Sequence, residues 1–233
     1  MLHFLLAESG LEVIPFRFQR HSSVRHQARR KKKDPSELLL DVSLHHTLIS
    51  QLPNGEKRGR PDIVHFCLLS ILGTPLNKAG LLRTYVHTID DKVLFINPEI
   101  RPPRNYNRFV GLIEQLFKIG QVPPVGAPLL HIERKSLHEL IEEIEPQMTI
   151  LFSEGGVPTT SEALVSKLKK GEDTAVIVGG FPHGEFSSQT RKLADVNISI
   201  DAEPLDSWIV AARVISAYEE AITLSQKRLS KAK

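Results

Sequence analysis

Cysteine is almost missing from this chain. Cys67 is the single one, so no intrachain disulfide can form, and a reducing, cytosol-like compartment is expected: cytoplasmic or, in a eukaryote, nucleolar. Cys67 lies in the apolar run Ile63-Val64-His65-Phe66-Cys67-Leu68-Leu69, which places it in a core rather than at a nucleophilic centre. Long apolar runs are missing too. No stretch approaches the roughly 18 apolar residues that span a bilayer. Leu2-His3-Phe4-Leu5-Leu6-Ala7 has no charged leader and is soon interrupted by Glu8, so it reads as a first strand, and no membrane partner is expected. The ten histidines are scattered, His45-His46 is an isolated pair, and no Cys/His spacing matches a zinc site, so no metal is expected. No serine sits in a nucleophile elbow. Gly179, Gly180 and Gly184 match neither a dinucleotide fingerprint nor a phosphate-cradling loop, which disfavours a phosphate-rich cofactor. Trp208, the one tryptophan, reads as a packing anchor.

What is present is enough for a real core: 233 residues, 41% of them hydrophobic, with a net charge of +3 that permits nucleic acid as a partner without demanding it. Basic charge concentrates between Arg17 and Lys33, where Arg20, Arg25, Arg29, Arg30, Lys31 and Lys32 have few large apolar residues between them. Such a segment is expected to be an exposed, mobile loop, either merely solvated or in contact with phosphate. Leu38-Leu39-Leu40-Asp41-Val42, with Leu44, Leu48 and Leu52, returns the chain to the core. Lys57-Arg58-Gly59-Arg60-Pro61-Asp62 is a polar turn into an apolar helix from Ile63 to Leu72, which Gly73-Thr74-Pro75 stops. Thr84 to Ile89 and Lys92 to Ile96, joined by Asp90-Asp91, read as a β-hairpin.

The segment after the hairpin, Asn97-Pro98-Glu99-Ile100-Arg101-Pro102-Pro103-Arg104-Asn105-Tyr106-Asn107-Arg108-Phe109, carries three arginines and two aromatics. Proline suits the turn that starts a helix, so the helix is expected to begin near Arg104, with Arg104 and Arg108 sharing a face. Cations in a first helical turn oppose the macrodipole, and an incoming phosphate would remove that cost. Phe109, Leu112, Ile113, Leu116 and Phe117 repeat at helical spacing, so the arginine end is rigidly mounted. The C-terminal half then alternates: strands at Met148 to Phe152, Thr174 to Val178 and Val196 to Ile200, helices at Ser161 to Lys170 and Ser207 to about Arg228. Alternation of this kind predicts an α/β domain with parallel strands. Three turns follow those strands, at Ser153-Glu154-Gly155-Gly156, Gly179 to Gly184 and Asp201 to Leu205, and ligands of open α/β sheets bind at the carboxyl ends of strands.

Arg60-Pro61-Asp62-Ile63-Val64-His65, Pro75-Leu76-Asn77-Lys78-Ala79-Gly80, the Asn97 to Phe109 arginine series and the glycine turn together resemble the pseudouridine-N1-specific rRNA methyltransferases of small-subunit ribosome biogenesis, the Nep/Emg family of SPOUT or α/β-knot enzymes. The match runs from about Arg58 to Ala211. It implies a single methyltransferase domain over 1–233, with RNA-binding elements at about 58–120, a C-terminal trefoil knot with the cofactor region at about 147–230, and N-terminal family-specific insertions that include the hairpin. Implied with it are S-adenosylmethionine as methyl donor, small-subunit rRNA as substrate, a homodimer with the substrate site between subunits, and ribosomal proteins or assembly factors as candidate further partners. Carried over residue by residue, RNA contacts fall on Arg60, Arg101, Arg104 and Arg108, with Tyr106 as a stacking surface for a flipped base. Catalysis falls on Asp62 and Arg60, with Asp62 either taking the N1 proton or orienting Arg60. Cofactor contacts fall on Leu151, Phe152, Ser153, Gly179, Gly184, Ile200, Asp201, Ala202, Glu203, Pro204 and Leu205. The competing readings are a non-catalytic assembly factor that clamps rRNA, and a knot methyltransferase acting on another RNA.

Overall fold

The computed structural model describes residues 1–168 and 173–230. Its strands are β1 (Leu2–Ser9), β2 (Leu82–Thr88), β3 (Lys92–Ile96), β4 (Gln121–Val122), β5 (Leu130–Arg134), β6 (Met148–Pro158), β7 (Thr174–Gly179) and β8 (Val196–Ser199). They form one sheet in the order β4-β5-β3-β2-β1-β7-β6-β8. Helices α1 (Ser22–Lys31), α2 (Val42–Ile49), α3 (Pro61–Leu72), α4 (Pro75–Lys78), α5 (Tyr106–Ile119), α6 (Leu137–Ile144), α7 (Ser161–Lys167), α8 (Ser188–Lys192), α9 (Ser207–Ala221) and α10 (Leu224–Ser230) connect and cover them. The sheet is mixed: β2, β1, β7, β6 and β8 run parallel, while β3, β5 and β4 extend the edge antiparallel.

The unbroken apolar run at the N-terminus makes β1 the central strand, buried along its whole length. Alternation sends its side chains to two cores. Leu2, Phe4 and Leu6 join α3, α5 and α9 on one face, and Leu5 and Ala7 join Leu140 of α6, Leu151 and Ile177 on the other. The expected hairpin is present, with Val86 opposite Leu94 and Asp91 at φ 54 in the turn. Its first strand, β2, lies directly beside β1. β8 lies on the far side of β6 from β7, so the chain crosses over after α8.

Several expected boundaries move. The first is the basic segment, which is not a mobile loop: α1 buries Val24, Gln27 and Ala28 against a small third core of Ile14, Phe18, Leu38, Leu40, Leu48 and Ile49. Lys31 and Lys33 both reach the buried carboxylate of Glu114 on α5, at 2.8 and 2.6 Å. A distant acid supplies the partner that the segment itself lacks. Leu44 does not join the core and is 48% exposed. The arginine helix starts at Tyr106 rather than near Arg104, because the Asn105 side chain caps it by accepting from the Arg108 N–H at 3.1 Å. Arg104 therefore stands outside α5 and shares no helical face with Arg108. The expected turn at 153–156 is an excursion inside the longer strand β6, whose Phe152 and Val157 both pair with Ile198. Gly156 crosses the Ile198 backbone so closely that a Cβ there would lie 2.2 Å from its carbonyl carbon. The last helix breaks at Thr223, which adopts φ 53 between α9 and α10. α7 ends at Lys167, and the helical reading of Lys169 and Lys170 lies outside the described residues.

Candidate functional site

The carboxyl ends of β6, β7 and β8, together with the start of α9, enclose a cavity of about 720 Å³. This is where a parallel sheet presents ligand-binding loops. Phe152, Ser153, Gly179, Gly184, Ile200, Asp201, Glu203, Pro204 and Leu205 line it. Leu151 does not; it is fully buried behind the wall in the core under α6. Ala202 is exposed and also lies off the lining. Phe181, inside the expected Gly179 to Gly184 loop, also lines the cavity, whereas sequence reasoning missed Asn197 and Trp208 as wall residues. Ser153 Oγ donates to Asn197 Oδ1 at 2.8 Å, and Ser207 Oγ donates to the Gly179 carbonyl at 2.6 Å, which ties three loops together.

The glycine loop is stitched to the end of β1. Gly180 N–H donates to the Ala7 carbonyl at 2.8 Å, and Gly10 N–H donates to the Gly180 carbonyl at 3.1 Å. Beneath it lies a buried ionic cluster that sequence reasoning also missed. Glu8 Oε2 accepts from Lys57 Nζ at 2.7 Å, while its Oε1 accepts from the Ser187 N–H at 2.9 Å and from Thr190 Oγ1 at 2.8 Å. Lys57 also donates to the Glu185 carbonyl and sits 4.4 Å from the Phe181 ring centre. Both side chains are 9% exposed. Glu8 adopts φ 51, strained for a non-glycine residue and held by these contacts. Its only sequence signal is a charge ending an otherwise apolar strand.

Arg60 lines this cavity and lies within electrostatic reach of Tyr106, the first residue of the arginine-bearing helix α5. It precedes Pro61, the first residue of α3, and its guanidinium grips Asp62 in a two-pronged bond, Nε to Oδ1 at 2.8 Å and Nη2 to Oδ2 at 2.7 Å. The bond to Asp62 raises the Arg60 pKa further, so it stays cationic. Arg101, Arg104 and Arg108 are exposed, and among the described residues none of their guanidinium groups has a hydrogen-bond or ion-pair partner. The turn between them is anchored from below: His65 Nε2 donates to the Pro103 carbonyl at 2.7 Å and the ring stacks 4.4 Å from Phe109. Asn77 Nδ2 donates to the Pro98 carbonyl at 2.9 Å. Tyr106 is half-buried and its hydroxyl donates to Asp41 Oδ2 at 2.6 Å, with burial and then that carboxylate pushing its pKa up. These contacts make it a prop under the first turn of α5 rather than a free stacking surface.

The EMG1/NEP1 methyltransferase family model matches residues 4–219. The chain belongs to this family. It is 46% identical over 224 residues to the ribosomal RNA small subunit methyltransferase Nep1 of Thermococcus kodakarensis, covering 96% of this chain and 100% of that protein. The Nep1 of Thermococcus sibiricus is 48% identical over 222 residues, 95% of this chain and 99% of its own length. Among solved structures, Archaeoglobus fulgidus Nep1 bound to S-adenosylhomocysteine superposes with a TM-score of 0.84 at 38% identity, covering 94% of this chain and 97% of that one.

Proposed function

We propose that the chain transfers a methyl group from S-adenosylmethionine to N1 of a pseudouridine in a hairpin loop of small-subunit rRNA, in ribosome biogenesis. The observation that carries this reading is the position of the Arg60–Asp62 pair, with Arg60 on the cavity wall and both residues within electrostatic reach of Tyr106 at the start of α5. The cavity suits the donor. Glu154, Glu185, Asp201, Glu203 and Asp206 line it against Arg60 and Arg191, the only lining Lys or Arg residues among the described ones, and two of the acids already hold guanidinium partners, Glu185 with Arg191 and Asp201 with Arg213. An excess of carboxylates favours a cation and repels phosphate. Phe181, Ile200 and Leu205 offer apolar surface for a purine, and strand-end backbone groups offer donors and acceptors.

Bound there, S-adenosylmethionine supplies an electrophilic methyl group on a sulfonium. The chain's own contribution is geometry. The three exposed arginines hold the loop phosphates, and a base displaced from the loop enters beside Arg60. Holding the N1 atom in line and close is worth up to roughly 7–11 kcal/mol in well-placed systems. Uridine has a glycosidic nitrogen at N1 and no proton to lose there, so the prior isomerisation is a chemical requirement. Asp62 spends both carboxylate oxygens on Arg60, so its role is to orient that guanidinium; the proton leaves to solvent. Expected from paired synthetic hairpins is transfer to the pseudouridine hairpin and none to its uridine twin. Equal transfer to both would refute the assignment, and no binding of the donor in a calorimetric titration would favour a non-catalytic clamp.

Removing one of the three arginines separates substrate from donor. Arg104→Ala is expected to weaken RNA binding and to lower the salt slope by about 0.7, the contribution of one single-strand phosphate contact. Donor affinity should be unchanged, and filter binding across a salt series beside calorimetry reads both.

The reading extends to a single methyltransferase domain carrying a C-terminal trefoil knot, acting as a homodimer in the cytoplasm. A half-exposed apolar patch beside the cavity mouth supports the dimer: Phe66 is 48% exposed, Ile209 is 39% exposed, and Trp208 packs 5.1 Å from Phe66. Buried, unpaired Cys67 suits a reducing compartment. No helix of the described residues is long and apolar enough to cross a membrane.

A further inference from the structure

Residues 17–33 carry eight lysines and arginines and no acid, although the whole chain is only +3, so the remainder is net −5. The fold uses two of these cations, Lys31 and Lys33, to neutralise Glu114. It leaves others assembled along a cleft of about 660 Å³ between α1 and α2, lined by Arg25, His26, Arg29 and Arg30 with Ser22 and Ser23. No carboxylate of the described residues lines this cleft. Among the described residues Arg25, Arg29 and Arg30 have no hydrogen-bond or ion-pair partner, and all three are exposed. Arg29 and Arg30 complement the C-terminal end of the α1 dipole. Arg25 does not, and it repels Arg29 one turn away on the same face. Helix stability therefore does not account for the cluster.

The cleft is also rigidly joined to the arginine series. Its floor is the buried pair Gln27 Oε1 and His45 Nε2, 2.8 Å apart. His45 Nδ1 accepts from the Asp41 N–H at 3.1 Å, and the Asp41 carboxylate holds the Tyr106 hydroxyl at the first turn of α5. Lys31 and Lys33 dock on α5 at Glu114, about 9 Å along the helix axis from Arg108 at 1.5 Å per residue. Two cationic surfaces are thus fixed on one helix, one at its start and one alongside its middle.

We infer that the α1–α2 cleft grips the phosphate backbone of the duplex stem beneath the target loop. Duplex RNA presents shape and phosphates rather than readable base edges, which suits a groove of arginines with serine hydroxyls. Contacts there add affinity and register without sequence preference. The inference rests on the proposed rRNA-hairpin substrate and assigns it a second contact surface.

The test uses the full chain and two hairpins with the same pseudouridine loop, one on a short stem and one on a long stem. Wild-type protein is expected to bind the long-stem hairpin more tightly. Arg25→Ala/Arg29→Ala/Arg30→Ala should lose that gain, about 10- to 100-fold, with the salt slope falling by roughly 2–3, while short-stem binding and calorimetric S-adenosylmethionine binding hold. The triple lysine replacement at the same positions should retain most of the gain, since phosphate attraction needs charge. A triple alanine variant that keeps the long-stem gain overturns the inference, and so does one that weakens both hairpins equally. Wild-type protein that binds neither hairpin overturns the RNA substrate itself, a result distinct from wild-type binding with an unaffected variant.

Discussion

Glu8→Ala is expected to destabilise the protein by about 3–5 kcal/mol, because it leaves Lys57 charged in a buried site with no counter-ion. The Ser187 N–H and the Thr190 hydroxyl lose their acceptor at the same time, so the glycine loop should loosen and donor affinity should fall with stability. Glu8→Gln keeps an acceptor and should cost less. A pH series isolates the charge. Burial disfavours the Glu8 carboxylate, but hydrogen bonds from Lys57, Ser187 and Thr190 outweigh it and hold the pKa below the usual range. A depressed folded pKa stabilises fully above the unfolded-state value and is lost as pH falls through the folded value. Denaturant unfolding should therefore show an acid limb in the wild type that shrinks in Glu8→Gln. Identical acid limbs in both proteins would contradict the assignment.

Gly180→Ala should abolish tight donor binding without touching a lining residue. A Cβ at position 180 would lie 2.0 Å from Ser9 Oγ, 2.7 Å from its Cβ and 2.8 Å from its Cα, and the last of these belongs to the backbone of the central strand. Neither partner can step aside, because Gly180 is hydrogen-bonded to Ala7 and Gly10 across the same gap. The expected cost is about 1–3 kcal/mol of overpacking, taken mainly as displacement of the loop that forms one cavity wall. That corresponds to a loss of donor affinity of roughly ten- to a hundredfold. Gly111→Ala is the control: it lies in α5, off the cavity lining, and a Cβ there meets nothing within 4 Å. Calorimetry should find it near wild type, and equal losses for both glycines would show that the clash at Ser9 is not the cause.

Local signals in this chain were legible where chemistry and spacing coincide within a few residues. The hairpin follows from β-branched strands around Asp90-Asp91, and the apolar stripe of α5 from Phe109 through Phe117. The nearness of Arg60 to Asp62 was legible too, since only Pro61 separates them; the two-pronged geometry, with both oxygens bonded, was not. Asn105 is the cap, but Pro102 and Pro103 carry the stronger local signal and point to a start nearer Arg104. The burial of α1 was invisible for a different reason. Its lysines are satisfied by Glu114, 81 and 83 residues away in sequence, so nothing local distinguishes a docked helix from a solvated arm. The Glu8 cluster is of the same kind, joining residues 49, 179 and 182 positions apart.

Residue order alone was enough for the parallel α/β core, the arginine series and the family, because those are properties of apolar periodicity and of motifs read within short windows. It took the folded chain to show that nine of the eleven expected cofactor residues share one cavity while Leu151 turns inward and Ala202 outward. The fold alone decided that Tyr106 is a prop, that the basic segment is a mounted helix with a cleft, and that a buried carboxylate holds the glycine loop. The physical reason is common to all of these. Burial and ion pairing depend on which distant groups the sheet order brings into contact, and a charge is exposed or satisfied according to a partner that its own neighbourhood does not contain.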